Sequence, residues 1–247
     1  MNNTAIIIPS RLEAVRLPNK PLELINNKEM ILHVYDAAIK TNLGDVYVAT
    51  PDQKIINLIK DNGGKAIKTS LSHQTGTDRV YEVFKNQLKS EPNIVINLQG
   101  DMPNIDPKDI ANLISYMYER KCDVGTLASS FSSDKEIADI NNVKVAVNDP
   151  LTNNQFDQAI DFFRKDEKKY EYFYHHVGIY AFTNKALVRY VSLNRSKLEL
   201  ERKLEQLRAL ENSMTIHVGY INSSPLSVDT KNDLIEVRKI MEKNEKN

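Results

Sequence analysis

Through residue 130 the chain alternates short runs of consecutive apolar residues with segments whose apolar residues recur at helical spacing, and this alternation limits the fold more than any other feature. The first run, Ala5-Ile6-Ile7-Ile8, is largely β-branched and is closed by Pro9, which predicts a strand buried on both faces of a parallel sheet. Met30, Ile31, Val34, Ala37 and Ala38 predict a helix over 30–41, followed by a strand over Asp45–Thr50. A helix over Gln53–Asn62, stopped by Gly63-Gly64, leads to a weak strand over Lys65–Lys68. The pattern continues with a helix over Asp78–Lys89, the strand Ile94–Leu98, a helix over Pro107–Arg120 and the strand Val124–Ser129. A doubly wound, mostly parallel α/β sheet follows, with ligands expected at the carboxyl ends of its strands.

After Asp134 the rhythm changes. Strands are expected over Lys144–Val147, Ala159–Phe162, His176–Phe182 and Ile216–Tyr220, and a helix over Leu198–Leu210. A closing helix over Thr230–Asn244 should turn Leu234, Ile235, Val237, Ile240 and Met241 to its apolar side. The expected organisation is one domain over 1–247 carrying a smaller α+β extension at about 132–212. Lys plus Arg and Asp plus Glu each number 33, which excludes the uniform basic field of a nonspecific nucleic-acid binder, so any anion site must be local. The lone cysteine, Cys122, excludes an intrachain disulfide and suits a reducing cytoplasm; no Cys/His spacing points to zinc. No signal-like start and no long apolar run argue for a membrane partner.

The loop after the first strand, Pro9 to Pro21, carries Arg11, Arg16 and Lys20 within ten residues. A guanidinium fork and an ammonium point charge at a strand end suit a polyphosphate, although solvated surface charge has the same composition. The loop lacks the glycines of both the P-loop and the dinucleotide fingerprint, so cations would replace the glycine cradle. Asp101 follows the most convincing strand, with Gly100 before it allowing close approach. A magnesium ion on nucleotide phosphates needs only one or two protein carboxylates. Asp229, ahead of the closing helix, can be that second carboxylate or an ordinary N-cap.

The chain carries, in order, Ile8-Pro9-Ser10-Arg11, Arg16-Leu17-Pro18-Asn19-Lys20-Pro21-Leu22, Val48-Ala49-Thr50, His73-Gln74-Thr75-Gly76-Thr77-Asp78-Arg79, Asn97-Leu98-Gln99-Gly100-Asp101, His176-Val177-Gly178-Ile179-Tyr180, Leu204-Glu205-Gln206-Leu207-Arg208 and Val228-Asp229-Thr230. Together they resemble the cytidylyltransferases that activate acidic sugars, most closely the branch acting on 3-deoxy-manno-octulosonate (Kdo) for lipopolysaccharide. The resemblance implies a Rossmann-like nucleotidyltransferase fold, a homodimer, CTP and Kdo as substrates and Mg2+ as the metal. It implies that Pro9, Ser10, Arg11, Arg16 and Lys20 hold the CTP triphosphate and that Gln74 and Gly76 belong to the loop reading cytosine. Asp101 and Asp229 become the metal carboxylates, and Arg11, Lys20, Asp101 and Asp229 the catalytic set. Arg79, Gln99, Arg164, His176, Tyr180, Glu205 and Gln206 fall at sugar-pocket positions. The implied reaction is in-line attack of the sugar's anomeric hydroxyl on the α-phosphorus of CTP, with loss of pyrophosphate.

The residues themselves also admit plainer roles. His176 in an apolar run suits a core histidine, Tyr180 a core aromatic, and Glu205 and Gln206 a solvated helix face. The sequence departs from the family pattern at Met102, where an acidic residue is usual, and at Phe162-Phe163-Arg164-Lys165-Asp166, where a proline-containing loop is usual. Lys28-Glu29 also replaces the usual Lys-Pro. Sialic acid or amino-Kdo as acceptor, a sugar 1-phosphate as acceptor, and a non-catalytic nucleotide-binding role are the alternatives.

Overall fold

The structure is a computed structural model that describes residues 3–13, 16–88, 91–153, 155–165 and 169–245. Val15 of the cationic loop, Lys89 at the expected helix end and Asp166 lie outside the described residues. In chain order the elements are β1 (Thr4–Pro9), β2 (Leu24–Ile25), β3 (Lys28–Glu29), α1 (Met30–Lys40), β4 (Gly44–Thr50), α2 (Gln53–Asp61), β5 (Ala66–Lys68), α3 (Gly76–Gln87), β6 (Ile94–Leu98), α4 (Pro107–Glu119) and β7 (Val124–Ser129). They continue with α5 (Asp134–Ala138), β8 (Lys144–Val147), β9 (Phe156–Phe163), β10 (Tyr172–Thr183), α6 (Asn184–Ser192), α7 (Lys197–Arg202), α8 (Leu207–Glu211), β11 (Ile216–Tyr220) and α9 (Lys231–Glu245).

Two compact units result, 1–110 with 225–247 and 111–224; the segment 132–212 falls within the second. In the first unit β1 pairs in parallel with β4 on one side and β6 on the other, and β5 extends the sheet beyond β4. All of β1 and β6 is buried, as continuous apolar runs require. The chain winds outward from β1 to β4 to β5 and then returns to β6 across β1. The strand order therefore reverses between β1 and β6, and their carboxyl ends flank the crevice where doubly wound sheets take ligands. Gly63 supplies the positive φ, +75°, that ends α2, and Thr75 caps α3 by accepting from the Asp78 amide. The β2–β3 hairpin, unforeseen from the sequence, turns on Asn26 and Asn27, both at positive φ, the conformation a two-residue hairpin loop demands.

In the second unit β7 pairs in parallel with β11 and antiparallel with β10; β9 joins β11 to β8; and β8 returns to the first residues of β10. These pairings close a ring. The long β10 makes closure possible by serving two partners, Tyr172–His175 against β8 and His175–Phe182 against β7, with a register shift between Val177 and Tyr180.

The expected single helix over Leu198–Leu210 is two, α7 and α8, broken at Lys203 in the left-handed conformation. Arg208 Nε and Nη2 grip the Glu199 carboxylate at 2.8 and 2.6 Å. In one helix these positions would stand about 13.5 Å apart along the axis and on opposite faces. The buried ion pair and an unbroken helix are mutually exclusive. The periodicity also hid α6, and Ile235, expected on the apolar side of α9, is 49% exposed, while Leu234 and Val237 are buried.

Candidate active site

The cationic loop leaves β1 along a fixed path. Ser10 continues the β1–β4 ladder by donating to Ala49 O at 2.9 Å, the Leu12 amide donates to Asp52 Oδ2 at 2.8 Å, and the Asn19 amide returns to Leu12 O at 3.1 Å. Leu17 is buried in a cluster with Ile25, Met30, Val228, Leu234 and Val237. One apolar cluster thus anchors Leu17, between Arg16 and Lys20, and Val228, beside Asp229. Its polar neighbours are held together at its edge. The Val228 amide donates to Asp101 O at 2.9 Å and the Leu226 amide to Asn104 Oδ1 at 3.0 Å, stitching the 225–229 segment to the loop after β6.

The side chains meet where these segments meet. Lys20 Nζ donates to Asp101 Oδ2 and to Asp229 Oδ1, each at 2.9 Å, and Arg16 Nη2 donates to Asp229 Oδ2 at 2.7 Å. Burial pulls the Lys20 ammonium down, but the Asp101 and Asp229 carboxylates outweigh it and hold its pKa above the ordinary lysine value. Burial acts upward on the Asp229 carboxyl, yet Lys20 and Arg16 hold it below the usual carboxylate range. Asp229 is not the cap of α9. Thr230 accepts from the Asp233 amide while Asp233 Oδ2 accepts from the Asp229 and Thr230 amides, a reciprocal cap that leaves the Asp229 carboxylate to the cations.

These groups line an open cleft of about 600 Å3 within the first unit. Pro9, Ser10, Arg11, Arg16 and Lys20 enter from the loop after β1, Gln99 and Asp101 from the end of β6, and Asp229 from ahead of α9. Gln74 and Gly76 enter at the start of α3, with Arg79 one turn on. Ser10 Oγ is buried there with no hydrogen-bond partner among the described residues, a polar atom available to a ligand. Gly100 sits in a tight place: a Cβ would stand 3.1 Å from Ile31 Cδ1 and 3.2 Å from Pro9 O, so a larger residue would need its neighbours to give by a few tenths of an ångström. Met102 is buried, so the departure at that position adds no side chain to the cleft.

Arg79 is almost fully buried and donates to Thr69 Oγ1 and, at 3.0 Å, to Ser70 O. Burial and the nearby Arg11 guanidinium lower its pKa. An anion entering the cleft would relieve both. Gln99 donates to Asn97 Oδ1 at 2.8 Å, and Asn97 to Thr77 Oγ1 at 3.1 Å, so its amide is oriented by a buried chain of bonds. His73 and Glu13 also line the cleft, although neither was singled out from the sequence. His73 bonds Glu82, which also accepts from the Ser70 amide at 2.9 Å and so ties the 70–74 loop to α3. Adjacency to Gln74 was the signal for His73; Glu13 carried none beyond its place in the loop.

The remaining sugar-pocket candidates lie in the second unit. His176 is buried, its Nε2 bonded to Thr126 Oγ1 at 2.9 Å and its ring edge-on to Phe162; burial lowers its pKa to about 3 and keeps it neutral. Tyr180 is buried beside it, with its phenol pushed well up by burial. Arg164 donates to Ile140 O and Asn141 O at 3.2 and 2.9 Å. Glu205 offers its carbonyl to Tyr190 Oη at 2.9 Å, and Gln206 is buried at the start of α8, so neither lies on a solvated helix. Cys122 is buried against Met117, and burial pushes its thiol up to about 12, the state of an inert structural cysteine.

Asp101 and Asp229 aim one oxygen each at a single cationic atom, the geometry a shared ion needs, with Lys20 Nζ as the stand-in. Among the described residues no group of three or more His, Cys, Asp or Glu could hold a metal, so any ion here draws its other ligands from water or substrate.

Residues 5–216 match the family described as cytidylyltransferase. The chain is 40% identical over 237 residues to the 3-deoxy-manno-octulosonate cytidylyltransferase of Brucella ovis, covering 95% of this chain and 94% of that protein. It is 39% identical to the enzyme of the same name from Bartonella henselae, covering 96% and 97%. Among solved structures it is similar to a CMP:2-keto-3-deoxy-manno-octonic acid synthetase complexed with CTP, with TM-score 0.86, 36% identity, and 98% and 99% of the two chains covered. This chain belongs to the cytidylyltransferase family.

Proposed function

We propose that this protein transfers CMP from CTP to Kdo, giving CMP-Kdo and pyrophosphate. The observation that carries the reading is the meeting of Arg16, Lys20, Asp101 and Asp229 at the carboxyl ends of β1 and β6, beside a cleft large enough for a nucleotide. Arg11, Arg16 and Lys20 bind the triphosphate and stabilise the charge that grows on the leaving pyrophosphate. Pro9 and Ser10 supply the loop's first turn, with Ser10 Oγ donating to a phosphate oxygen. Gln74 reads the cytosine edge, its amide both donating and accepting, and Gly76 keeps the start of α3 open. Arg79 binds the sugar carboxylate in the cleft, and the oriented amide of Gln99 binds a hydroxyl. Of the seven residues that the resemblance gives to the acceptor, Arg79 and Gln99 line this cleft, and Arg164, His176, Tyr180, Glu205 and Gln206 belong to the second unit.

The anomeric hydroxyl oxygen forms a bond to the α-phosphorus as the bond from that phosphorus to the bridging oxygen breaks, and the electron pair leaves on pyrophosphate. The hydroxyl proton passes to solvent. Asp101 and Asp229 would hold magnesium, which when bound would lower the pKa of the attacking hydroxyl and offset charge on the α-phosphate. Most of the acceleration comes from positioning and charge neutralisation rather than covalent chemistry. The resemblance also implies a homodimer in the cytoplasm that feeds lipopolysaccharide synthesis.

Pyrophosphate release with CTP, magnesium and Kdo, run beside sialic acid and UTP, tests the reaction. Kdo with CTP should turn over fastest. Preference for sialic acid would move the acceptor, and no release from any pair would remove the enzymatic reading.

A further inference from the structure

The two aspartates already share a cation of the protein's own. Lys20 Nζ spends a hydrogen bond on each, and Arg16 takes the remaining oxygen of Asp229. An ion shared by Asp101 Oδ2 and Asp229 Oδ1 must occupy the place where the ammonium now stands, and two cations cannot share it. The main chain of Lys20 is anchored on both sides. Its amide donates to Leu17 O, Leu17 is locked in the apolar cluster, and Pro21 follows in a short 3-10 turn. What can move is the side chain, a flexible four-carbon stem ending in a freely rotating donor group.

We propose that Lys20 is a built-in counter-ion that holds Asp101 and Asp229 together in the nucleotide-free protein and gives them up only when a triphosphate offers it a new anionic partner. This rests on the reading of the two aspartates as the metal carboxylates. Two consequences follow from the geometry. The carboxylates, which would repel each other if left alone, stay converged without metal. Metal and triphosphate also bind cooperatively: phosphate oxygens draw Lys20 and Arg16 away and add ligands, while a divalent ion between the aspartates releases both cations for phosphate. Such coupling is reciprocal. With two carboxylates converging on an internal ammonium, the site discriminates against a free divalent ion and accepts one that arrives with its nucleotide.

The test reads metal binding directly. Mn2+ is titrated into the full chain without nucleotide and followed by water proton relaxation, for wild type, Lys20→Met and Lys20→Gln, each checked for folding by its thermal melt. The wild type should bind Mn2+ weakly and the Lys20 variants about 5- to 100-fold more tightly, within the usual span of coupling between sites. Adding Asp101→Asn to either variant should erase the gain. A folded Lys20 variant that binds Mn2+ no better than wild type overturns the counter-ion role. A non-hydrolysable CTP analogue separates that failure from failure of the metal assignment. If the analogue still recruits Mn2+ in an Asp101-dependent manner, the aspartates remain the metal site and Lys20 is only a phosphate contact. If Mn2+ is recruited under no condition, both readings fall.

Discussion

A carboxylate gripped by two basic side chains occurs in each unit, and the two carboxylates differ in their access to solvent. In the second unit Glu199 accepts from Arg195 and Arg208, with Glu199 fully buried, Arg208 4% exposed and Tyr190 packed over the guanidinium. Three donors, Arg208, Arg195 and the Ser196 amide, hold the Glu199 carboxyl low against burial. In the first unit Asp229 accepts from Lys20 and Arg16, but Asp229 is 40% exposed and Arg16 54%. The Glu199–Arg208 pair is closed to solvent, although Arg195 beside it is 42% exposed, and it fixes the chain around it, to the point of breaking a helix. The open pair can trade partners with a ligand that brings its own charges. Solvent access, rather than residue type, separates the structural cluster from the exchangeable one.

The largest expected effect falls on the open cluster and on chemistry alone. Asp101→Ala should lower pyrophosphate release from CTP and Kdo by on the order of 10³-fold, the scale of losing a key electrostatic group. Its melting temperature should hardly change, and retained turnover would remove the metal assignment. Glu199→Gln should do the reverse, lowering stability in urea by about 3–5 kcal/mol by leaving Arg208 buried against a neutral partner. A loss under 1 kcal/mol there would erase the contrast drawn above.

An effect of similar total size, spread over several pH units, follows from titration. His176 is neutral in the folded protein down to about pH 3, whereas in the unfolded chain it takes a proton below about 6.5. The unfolded state therefore binds more protons between those values, and stability should fall as pH drops through that window, by up to about 1.4 kcal/mol per pH unit from this group. Urea titrations of wild type and His176→Asn should differ in that slope. The depressed Asp229 carboxyl contributes stability above its unfolded pKa that is lost as pH falls through its folded one; the raised Lys20 contributes below its unfolded pKa and loses it as pH rises through its folded one. The open cluster is thus intact across neutral pH. The smallest effect belongs to Lys65, paired with Asp45 at 2.7 Å with both side chains more than half exposed. Lys65→Ala should change stability by less than about 1 kcal/mol and sets the floor for the comparison.

Much of the first unit was legible because its signals are local. β1, β6 and the helices between them announce themselves by burial pattern, and the charged loop after β1 is adjacent in sequence to the strand that aims it. The second unit was harder to read. Its helix 198–210 carries good periodicity, yet the Glu199–Arg208 pair overrides it, and no local window contains that information. Gln206 and His176 looked like a solvated position and a core position, and both are buried, because the ring of strands and the α7–α8 turn decide what water reaches.

The sequence alone determined the parallel first unit, its ligand-facing strand ends and the local concentration of Arg11, Arg16 and Lys20, since runs, spacing and adjacency are properties of neighbouring residues. Only the tertiary structure decided that Asp101 and Asp229 converge, that Thr230 rather than Asp229 caps α9, and that Lys20 stands between the two carboxylates. The reason lies in the cluster that packs Leu17 against Val228: burial of apolar surface has no direction along the chain, so it can bring together charged neighbours that no spacing rule connects.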